Sequence, residues 1–397
     1  MASKKAKSSP KSGGKSSHGR AAGNTLSFPS VATHAPKQHV SHSYDSLGIP
    51  FKAPAGDCVM DLVNFFGAGP ISKITSSGQI QFHLMGDSGV GTVEQENVAE
   101  AMSRDIDDAN HELGPSFMVH VGDVIYGPNK AATYSDRFYR MYDHYNRLIF
   151  AVPGNHDGEV FPSTDPDTLA AFKTNFCSPV GAQPPLGKQF GMLMPTQPGP
   201  YWHLRAPFVD VVGLYSNADE NSGIISNAKV GDAQKKWLQA RLKDIVSKRT
   251  GTKRNALVIA VHHPPYARGF QSSGYGHPGN PEMLSDIDAC CSAAGLLPDA
   301  VLAGHTHSYQ HYERTQSIGG KSQKIPYLIV GTGGIGLQRI PAPTGVKDSA
   351  GDVLYFSAFK DYGYLTVTVS AKELKMEFIA VVATHREVRE QVTVPLN

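Results

Sequence analysis

The sequence lacks any long apolar run. Its 397 residues contain no stretch approaching the roughly 18 apolar residues that a membrane-spanning helix requires, and the N-terminus has no apolar segment of the kind found in secretory signals. These absences argue against a membrane anchor and against a membrane as partner. They make the cytoplasm the expected location, with export as the alternative.

Cysteine is scarce as well. Cys58, Cys177, Cys290 and Cys291 show neither the CxxC spacing of a zinc site nor the density of a disulfide framework. The redox state of the compartment and any pairing of these cysteines therefore stay open. With 40% hydrophobic and 18% charged residues, the composition is that of a globular protein able to bury a large core.

Acidic residues are missing from the first 24 positions, which carry six basic residues and are rich in Ser, Gly, Lys and Ala. We predict a disordered basic tail over residues 1–40. The whole chain has a formal net charge of +2, so the remainder carries 2 − 6 = −4. A nucleic-acid partner is not expected for this acidic body, and contact of the tail with nucleic acid or a membrane surface is the less favoured alternative.

Residues 41–78 give a weak signal because Gly56, Gly67, Gly69 and Pro70 break them into short pieces. We predict an N-terminal extension there, either packed on the body or forming a lid over it. From residue 79 onward, short apolar runs alternate with amphipathic helices, which is typical of a layered α/β fold. We therefore predict one domain over residues 79–397.

Three amphipathic helices are predicted. The first begins after Thr92, which forms a capping box with Gln95, and its apolar stripe is Val98, Met102, Ile106, Ala109 and Leu113. The second begins at Asp232 and would bury Trp237, Leu238, Leu242, Ile245 and Val246. The third is capped by Asn280, has Pro281 in its first turn and ends at Gly295.

Five apolar runs end in polar residues that can bind metals. They are Ile80–Met85 before Gly86-Asp87-Ser88-Gly89, Phe117–Val121 before Gly122-Asp123-Val124-Ile125-Tyr126, Leu148–Val152 before Pro153-Gly154-Asn155-His156-Asp157, Ala256–Val261 before His262-His263-Pro264, and Ala300–Ala303 before Gly304-His305-Thr306-His307. Open α/β sheets place their chemistry at such strand ends, so we expect these side chains to lie close together.

Each motif also has a structural explanation. A Gly-Asp pair after a strand is commonly a turn, Asn155 fits an Asx-turn, and two histidines before prolines fit a rigid turn. Asp123 and Tyr126 alone fit a buried carboxylate and a core tyrosine. His305 and His307 indicate a metal site more strongly than the other motifs do, because alternate residues of an extended segment point the same way and both rings can face one pocket. The coincidence of all five motifs favours a metal site.

The ordered motifs resemble those of the purple acid phosphatases, within the calcineurin-like metallophosphoesterases. The resemblance covers roughly residues 79–385, and residues 326–334 and 362–365 look like the closing strands of that family. Most of the superfamily carries Asp-x-His in the first motif, whereas here Gly89 takes the histidine position and Tyr126 follows the second Asp, as in the purple branch. The implied fold is α/β, a four-layer αββα sandwich of two mixed β-sheets flanked by helices, with a late hairpin over residues 369–380.

The resemblance also implies two metal sites. The first would hold a ferric ion through Asp87, Tyr126 and His307. The second would hold a divalent iron, zinc or manganese ion through Asn155, His262 and His305. Asp123 would bridge the two ions, and His262 is preferred to His263 because the family's ligand histidine is followed by any residue and then Pro.

The implied reaction is hydrolysis of a small-molecule phosphomonoester by an acid phosphatase, with a hydroxide held by the metals as nucleophile. His156 would protonate the leaving alkoxide, and Asp157 would orient the His156 ring. His277 is a second candidate for a histidine that faces the substrate. It lies 15 positions after His262, which is further than the family's usual gap. The alternative is a phosphodiesterase or pyrophosphohydrolase with the same metals, and a third hypothesis is a non-catalytic binding module. The oligomeric state stays open.

The segment Gly331-Thr332-Gly333-Gly334-Ile335-Gly336 matches a dinucleotide-binding fingerprint. That fingerprint must open a helix, but Pro341 and Pro343 follow within a few residues. We therefore predict a loop that binds no dinucleotide.

Overall fold

The apolar runs become strands of two sheets. The computed structural model describes residues 54, 56–108, 114–159, 168–178, 183–192, 194–219, 223–249, 254–269, 277–343 and 353–396. All of them belong to one compact unit, His42–Asn397. The tail predicted for residues 1–40 lies outside the described residues, and the predicted division into tail, extension and body stays a prediction.

The large sheet has eight strands in the order β1-β5-β6-β7-β8-β10-β9-β11. Its strands are β1 Val59–Asp61, β5 Trp202–Ala206, β6 Val209–Gly213, β7 Ala256–Ala260, β8 Ala300–Ala303, β9 Tyr309–Ile318, β10 Lys321–Val330 and β11 Val353–Phe359. The central strands β6, β7, β8 and β10 run parallel, whereas β9 pairs antiparallel with β10 and β11. The sheet is therefore mixed.

The small sheet has six strands in the order β14-β13-β12-β2-β3-β4. Its strands are β2 Gln79–Met85, β3 Phe117–His120, β4 Leu148–Ala151, β12 Gly363–Ser370, β13 Glu373–Val382 and β14 His385–Pro395. Strands β2, β3 and β4 are parallel, and the last three form an antiparallel meander. The late hairpin predicted over residues 369–380 is longer in the structure, where β12 and β13 pair over residues 363–380.

Helices cover the sheets. They are α1 Val63–Phe66, α2 Ala68–Ser77, α3 Val93–Asp108, α4 Ala131–Tyr134, α5 Ala170–Phe176, α6 Pro185–Gln189, α7 Ala233–Lys248 and α8 Pro281–Ala294. A π-helical turn, Ser135–Tyr139, follows α4, and a 3₁₀ turn, His156–Gly158, follows β4. Among the described residues, no helix is both long and apolar enough to cross a membrane.

Strand β7 shows how the layers are built. Val258 faces a core that also holds Phe82 and Val367 of the small sheet, so this core lies between the sheets. Leu257 and Ile259 face a second core shared with α7 and α8. Successive side chains of a strand point to opposite faces, so an uninterrupted apolar run is what a strand between two cores requires. Helix α3 packs on β12 and β13, and the predicted four-layer α/β fold is confirmed.

The three predicted helices are present, with differences in detail. Gln95 accepts a hydrogen bond from the backbone of Gly91 at 2.8 Å rather than from Thr92 as a capping box would require. Positions 109 and 113 of the predicted stripe lie outside the described residues. Val246 of α7 was predicted to be buried but is 39% exposed, because the buried face runs through Gln234 instead. The side-chain amide of Gln234 accepts a hydrogen bond from the Tyr215 N–H and donates one to the Tyr215 carbonyl, so the buried amide has its hydrogen-bond partners in the core.

The described part of the N-terminal extension packs on the body. Strand β1 pairs in parallel with β5 at the edge of the large sheet. The Arg205 guanidinium donates two hydrogen bonds to the Asp61 carboxylate, and Trp237 Nε1 donates to the Asp57 carbonyl at 2.7 Å. Residues 331–336 form a loop, as predicted for the dinucleotide-like segment.

Candidate metal centre

The predicted motifs meet at one edge of the two sheets. The backbone N–H of Gly304 donates to the His262 carbonyl at 2.9 Å, which joins the ends of β8 and β7, and the N–H of Asp87 donates to the Gly122 carbonyl at 3.0 Å, which joins β2 and β3. His262 Nδ1 lies 2.9 Å from the Val121 carbonyl oxygen and links the large sheet to the small one. This contact fixes Nδ1 as the protonated nitrogen of His262 and turns Nε2 toward the site.

The three residues assigned to the ferric site lie together. The Tyr126 hydroxyl donates to Asp87 Oδ1 at 3.2 Å and lies 3.3 Å from His307 Nε2. His307 Nε2 is 3.6 Å from the same carboxylate oxygen. Asp87 is fully buried, and its other oxygen accepts the backbone N–H of His305 at 2.8 Å. A phenol, a carboxylate and an imidazole therefore converge on one point.

The residues assigned to the second site form an adjacent group. His262 Nε2 lies 3.1 Å from Asn155 Oδ1. The ring of His305 is centred 5.1 Å from the ring of His262. An amide oxygen and two imidazoles thus lie beside the first group.

Asp123 lies between the two groups. Its Oδ1 accepts the backbone N–H of His156 at 2.9 Å and lies 3.4 Å from His262 Nε2. Its Oδ2 is buried and has no hydrogen-bond partner in the described part of the chain. A buried carboxylate oxygen without a partner is costly, and a metal ion is the kind of ligand that would satisfy it.

The backbone is strained at three of these residues. Asp87, Asp123 and His305 have φ angles of 61°, 52° and 68°, and each follows a glycine of its motif. Non-glycine residues seldom adopt this left-handed conformation, which costs about 1 kcal/mol or more for each residue. Such strain persists where the surrounding structure enforces it, typically at functional sites.

Gly154 shows how closely the backbone packs around Asp123. A Cβ atom at position 154 would lie 2.1 Å from Asp123 Oδ1 and 2.4 Å from its backbone nitrogen. Only glycine allows the loop after β4 to lie directly on the carboxylate. The need for glycine at the position before Asn155 is therefore steric.

Gly89 is equally enclosed. A Cβ atom there would lie 2.0 Å from the Val124 carbonyl oxygen and 2.3 Å from Ile125 Cα. The Gly89 carbonyl accepts the N–H of Tyr126 at 2.9 Å. The backbone that carries Tyr126 therefore occupies the space that a side chain at position 89 would need.

Replacing Gly89 with alanine should therefore destabilise the protein and displace Tyr126. We expect the free energy of unfolding to fall by about 1–3 kcal/mol, as for an overpacked core, measured by urea unfolding. Gly336→Ala is the matched control, because a Cβ atom at position 336 would meet no described atom within 4 Å. Equal stability of the two variants would contradict the steric explanation.

The charges of the site are strongly coupled. Burial raises the pKa of Asp87 to about 7; His262 opposes this rise and the nearby Asp123 adds to it. Burial acts to lower the pKa of His262, but the carboxylates of Asp123 and Asp87 outweigh it and raise that pKa to about 9. Burial lowers the pKa of His307 to about 3, which keeps its ring neutral. Two buried carboxylates therefore attract positive charge beside neutral nitrogen donors.

The structure shows which groups the Asp157 carboxylate binds. This carboxylate accepts the backbone N–H groups of Val124 at 3.1 Å, Ile125 at 3.2 Å and Gly154 at 2.8 Å. The Asp157 carboxylate also acts to raise the pKa of the His156 imidazole. Glu159 makes a direct contact with that ring, with Oε1 3.0 Å from His156 Nδ1. Asp157 thus holds two loops of the site together.

Two further histidines lie beside the second group. The ring of His277 is centred 4.1 Å from that of His305 and 5.9 Å from that of His307, so the structure places it at the site. The ring of His263 is 4.3 Å from that of His305, and its Nδ1 contacts Ser216 Oγ at 2.9 Å. The pattern of a histidine, any residue and a proline assigned only His262 to the metal site. That His263 directly follows His262 in the sequence was the feature that could have indicated its place at the site.

The residues present fit a binuclear metal centre. Ligand atoms of Asp87, Asp123 and His262 lie within 4.8 Å of one another, and so do those of His262, His263 and His305. The orphaned oxygen of Asp123, the neutral imidazoles and the facing carboxylates are the features that two cations would satisfy. Asp87, Tyr126 and His307 would hold one ion and Asn155, His262 and His305 the other.

Residues 80–309 match the family model of the calcineurin-like phosphoesterases. The chain belongs to this family. Calcineurin-like phosphoesterases are metal-dependent phosphoester hydrolases with a binuclear metal centre. The family predicted from the motifs is therefore confirmed.

Individual relatives of this calcineurin-like phosphoesterase are distant. Purple acid phosphatase 21 of Arabidopsis thaliana is 23% identical over 213 residues, which cover 51% of this chain and 42% of that protein. The chain thus spans less than half the length of this curated relative. A structure of GAP50, described as the anchor in the inner membrane complex of Plasmodium, has a TM-score of 0.54 at 13% identity and covers 80% of this chain and 89% of its own. PhoD has a TM-score of 0.50 at 14% identity, covering 81% and 70%. At these identities, the two structures establish the fold.

Proposed function

We propose that this protein is an acid phosphatase that hydrolyses phosphomonoesters at a binuclear centre, with a ferric ion at Asp87, Tyr126 and His307. The second ion is a divalent iron, zinc or manganese held by Asn155, His262 and His305, and Asp123 bridges the two. The observation that carries the proposal is the position of the Tyr126 hydroxyl, 3.2 Å from Asp87 Oδ1 and 3.3 Å from His307 Nε2.

The donor types support different ions at the two sites. Carboxylate and phenolate oxygens favour a hard ion of high charge, whereas an amide oxygen with two imidazoles suits a divalent one. When bound, the two ions would act as Lewis acids toward the phosphoryl group and activate water as the nucleophile, the trivalent ion doing so in acid.

The residues around the centre support phosphate chemistry. Burial acts to lower the pKa of His156, but Asp123 and Glu159 outweigh it and raise that pKa to about 9. A protonated imidazole at this position is suited to binding phosphate and to protonating a leaving group. His277, which packs against His305, is proposed as a second group that faces the substrate.

Replacing Tyr126 with phenylalanine is the direct test of the ferric site. Burial and the carboxylates of Asp123 and Asp87 raise the pKa of Tyr126 well above its ordinary value, so a strongly charged cation is needed to ionise it. We expect the iron-loaded wild type to be purple or pink through charge transfer from the phenolate, and Tyr126→Phe to lose this visible absorption band.

Tyr266→Phe is the matched control, since Tyr266 lies four residues after His262 but its ring packs against Tyr312 and Tyr327. This variant should keep the colour. A colourless wild type with bound iron would defeat the ferric assignment, and a protein that binds no metal would point to a non-catalytic module instead.

The substrate class is tested by comparing rates on phosphomonoesters, phosphodiesters and pyrophosphates at acid pH. The proposal expects the highest kcat/KM on phosphomonoesters. Faster turnover of diesters or pyrophosphates would replace it with the alternative activity at the same centre.

A further inference from the structure

The carboxylate of Glu159 faces the ring of His156. Glu159 Oε1 lies 3.0 Å from His156 Nδ1, and the two side chains are 28% and 27% exposed. They are three residues apart across the 3₁₀ turn that begins at His156. Residues i and i+3 of a 3₁₀ helix lie one above the other, so the turn itself brings the carboxylate to the imidazole.

The turn that carries this pair is held in place. The amide of Asn129, on the loop after Tyr126, donates to the backbone carbonyls of both His156 and Glu159. Asp157 anchors the middle of the turn through the three backbone N–H groups described above, and Thr168 Oγ1 donates to the Gly158 carbonyl at 3.0 Å. The backbone that carries the Glu159 side chain is therefore set by the fold.

The other contacts of His156 place its ring at the candidate metal centre. Its backbone N–H donates to Asp123 Oδ1 at 2.9 Å, and its ring is centred 4.5 Å from that of Tyr126. The backbone is thus tied to the carboxylate between the two metal sites, and the ring packs on a residue of the first site.

We propose that Glu159 is the positioning residue that fixes the tautomer and orientation of His156. This inference rests on the proposed phosphatase function. His156 Nδ1–H donates to the Glu159 carboxylate, so the proton exchanged with substrate is the one on Nε2. Glu159 therefore acts through His156 and does not itself touch the substrate.

The step that this geometry serves is protonation of the leaving group. The oxygen of a water molecule forms the new bond to phosphorus, the P–O bond to the alcohol breaks, and His156 Nε2 gives its proton to the departing oxygen. A proton from the attacking water restores the imidazole, and the products are the alcohol and inorganic phosphate. Poor leaving groups need this proton far more than good ones do.

The test compares two substrates in three variants. With an alkyl phosphomonoester, Glu159→Ala should lower kcat by about 10–100-fold, the usual effect of removing such a supporting group. With an aryl phosphomonoester of an acidic phenol, the loss should be only a few-fold. Glu159→Gln, which can still accept the Nδ1–H hydrogen bond, should recover part of the alkyl rate. Glu282→Gln, at an exposed carboxylate in the first turn of α8, is the control and should match the wild type.

Metal content and histidine NMR distinguish the possible failures. All variants should bind as much metal as the wild type, and ¹⁵N-edited spectra of the metal-free wild type should show a hydrogen-bonded, slowly exchanging Nδ1–H of His156, a signal that Glu159→Ala loses through rapid exchange with water. Equal loss on both substrates, or loss of metal, would reduce Glu159 to a structural role and overturn the inference. If the wild type hydrolyses no phosphoester, the proposed function fails, and retention of the Nδ1–H signal in Glu159→Ala would show separately that Glu159 does not position the ring.

Discussion

Replacing Asp123 with asparagine should abolish the binuclear centre. Asp123 lies between both groups of predicted ligands and is 1% exposed, with one oxygen beside His262 and the other without a partner in the described structure. An amide offers one oxygen and no charge, so it cannot serve two cations. We expect phosphoester hydrolysis to fall by about 1,000-fold or more, since a metal centre contributes several kcal/mol to the transition state.

Metal analysis makes this prediction specific. Asp123→Asn should weaken binding of both ions, whereas Asp87→Asn should mainly weaken binding at the Tyr126 site, because the side chains of Tyr126 and His307 lie within 3.6 Å of Asp87 Oδ1 and the contact of Asp87 with His305 is to its backbone N–H. Asp232→Asn, at a carboxylate that is 57% exposed, is the surface control and should retain metal and activity. Two tightly bound ions per chain in Asp123→Asn would rule out the bridging role.

Replacing Asp157 with alanine should be the most destabilising of these substitutions. The fully buried carboxylate accepts hydrogen bonds from Val124, Ile125 and Gly154. Alanine would leave three buried N–H groups unsatisfied, at about 1–3 kcal/mol each. We expect the free energy of unfolding to fall by at least about 3 kcal/mol, measured by urea unfolding of chelator-treated protein so that loss of metal does not contribute.

Two comparisons control this measurement. Asp157→Asn keeps one oxygen acceptor and should cost less than Asp157→Ala. Asp136→Ala removes an exposed ion pair with Arg140, which should change stability by no more than about 1 kcal/mol. If Asp157→Ala were as stable as Asp136→Ala, the three hydrogen bonds would not hold the loops together.

The strands that end at the site could be predicted because their environment is simple. In β7, every residue is apolar since one face meets the core between the sheets and the other meets the helices. The polar residues after such a run stand out in the sequence. By contrast, residues 54–78 contain short pieces without clear alternation, so their edge strand on the large sheet could not be predicted.

The strained backbone of the site was not predictable from local sequence. Asp87, Asp123 and His305 are left-handed because neighbouring loops and hydrogen bonds enforce it, and those partners come from distant parts of the chain. The contact of Glu159 with His156 was missed for a different reason. The 3₁₀ turn that brings residue i+3, which is Glu159, beside His156 is not visible in the sequence.

The contact between His262 and the Val121 carbonyl ties the chemistry of the site to the alignment of the two sheets. Pulling the sheets apart would break the bond that fixes which nitrogen of His262 faces the metals. The alignment of the sheets and the orientation of the His262 ring are therefore expected to change together.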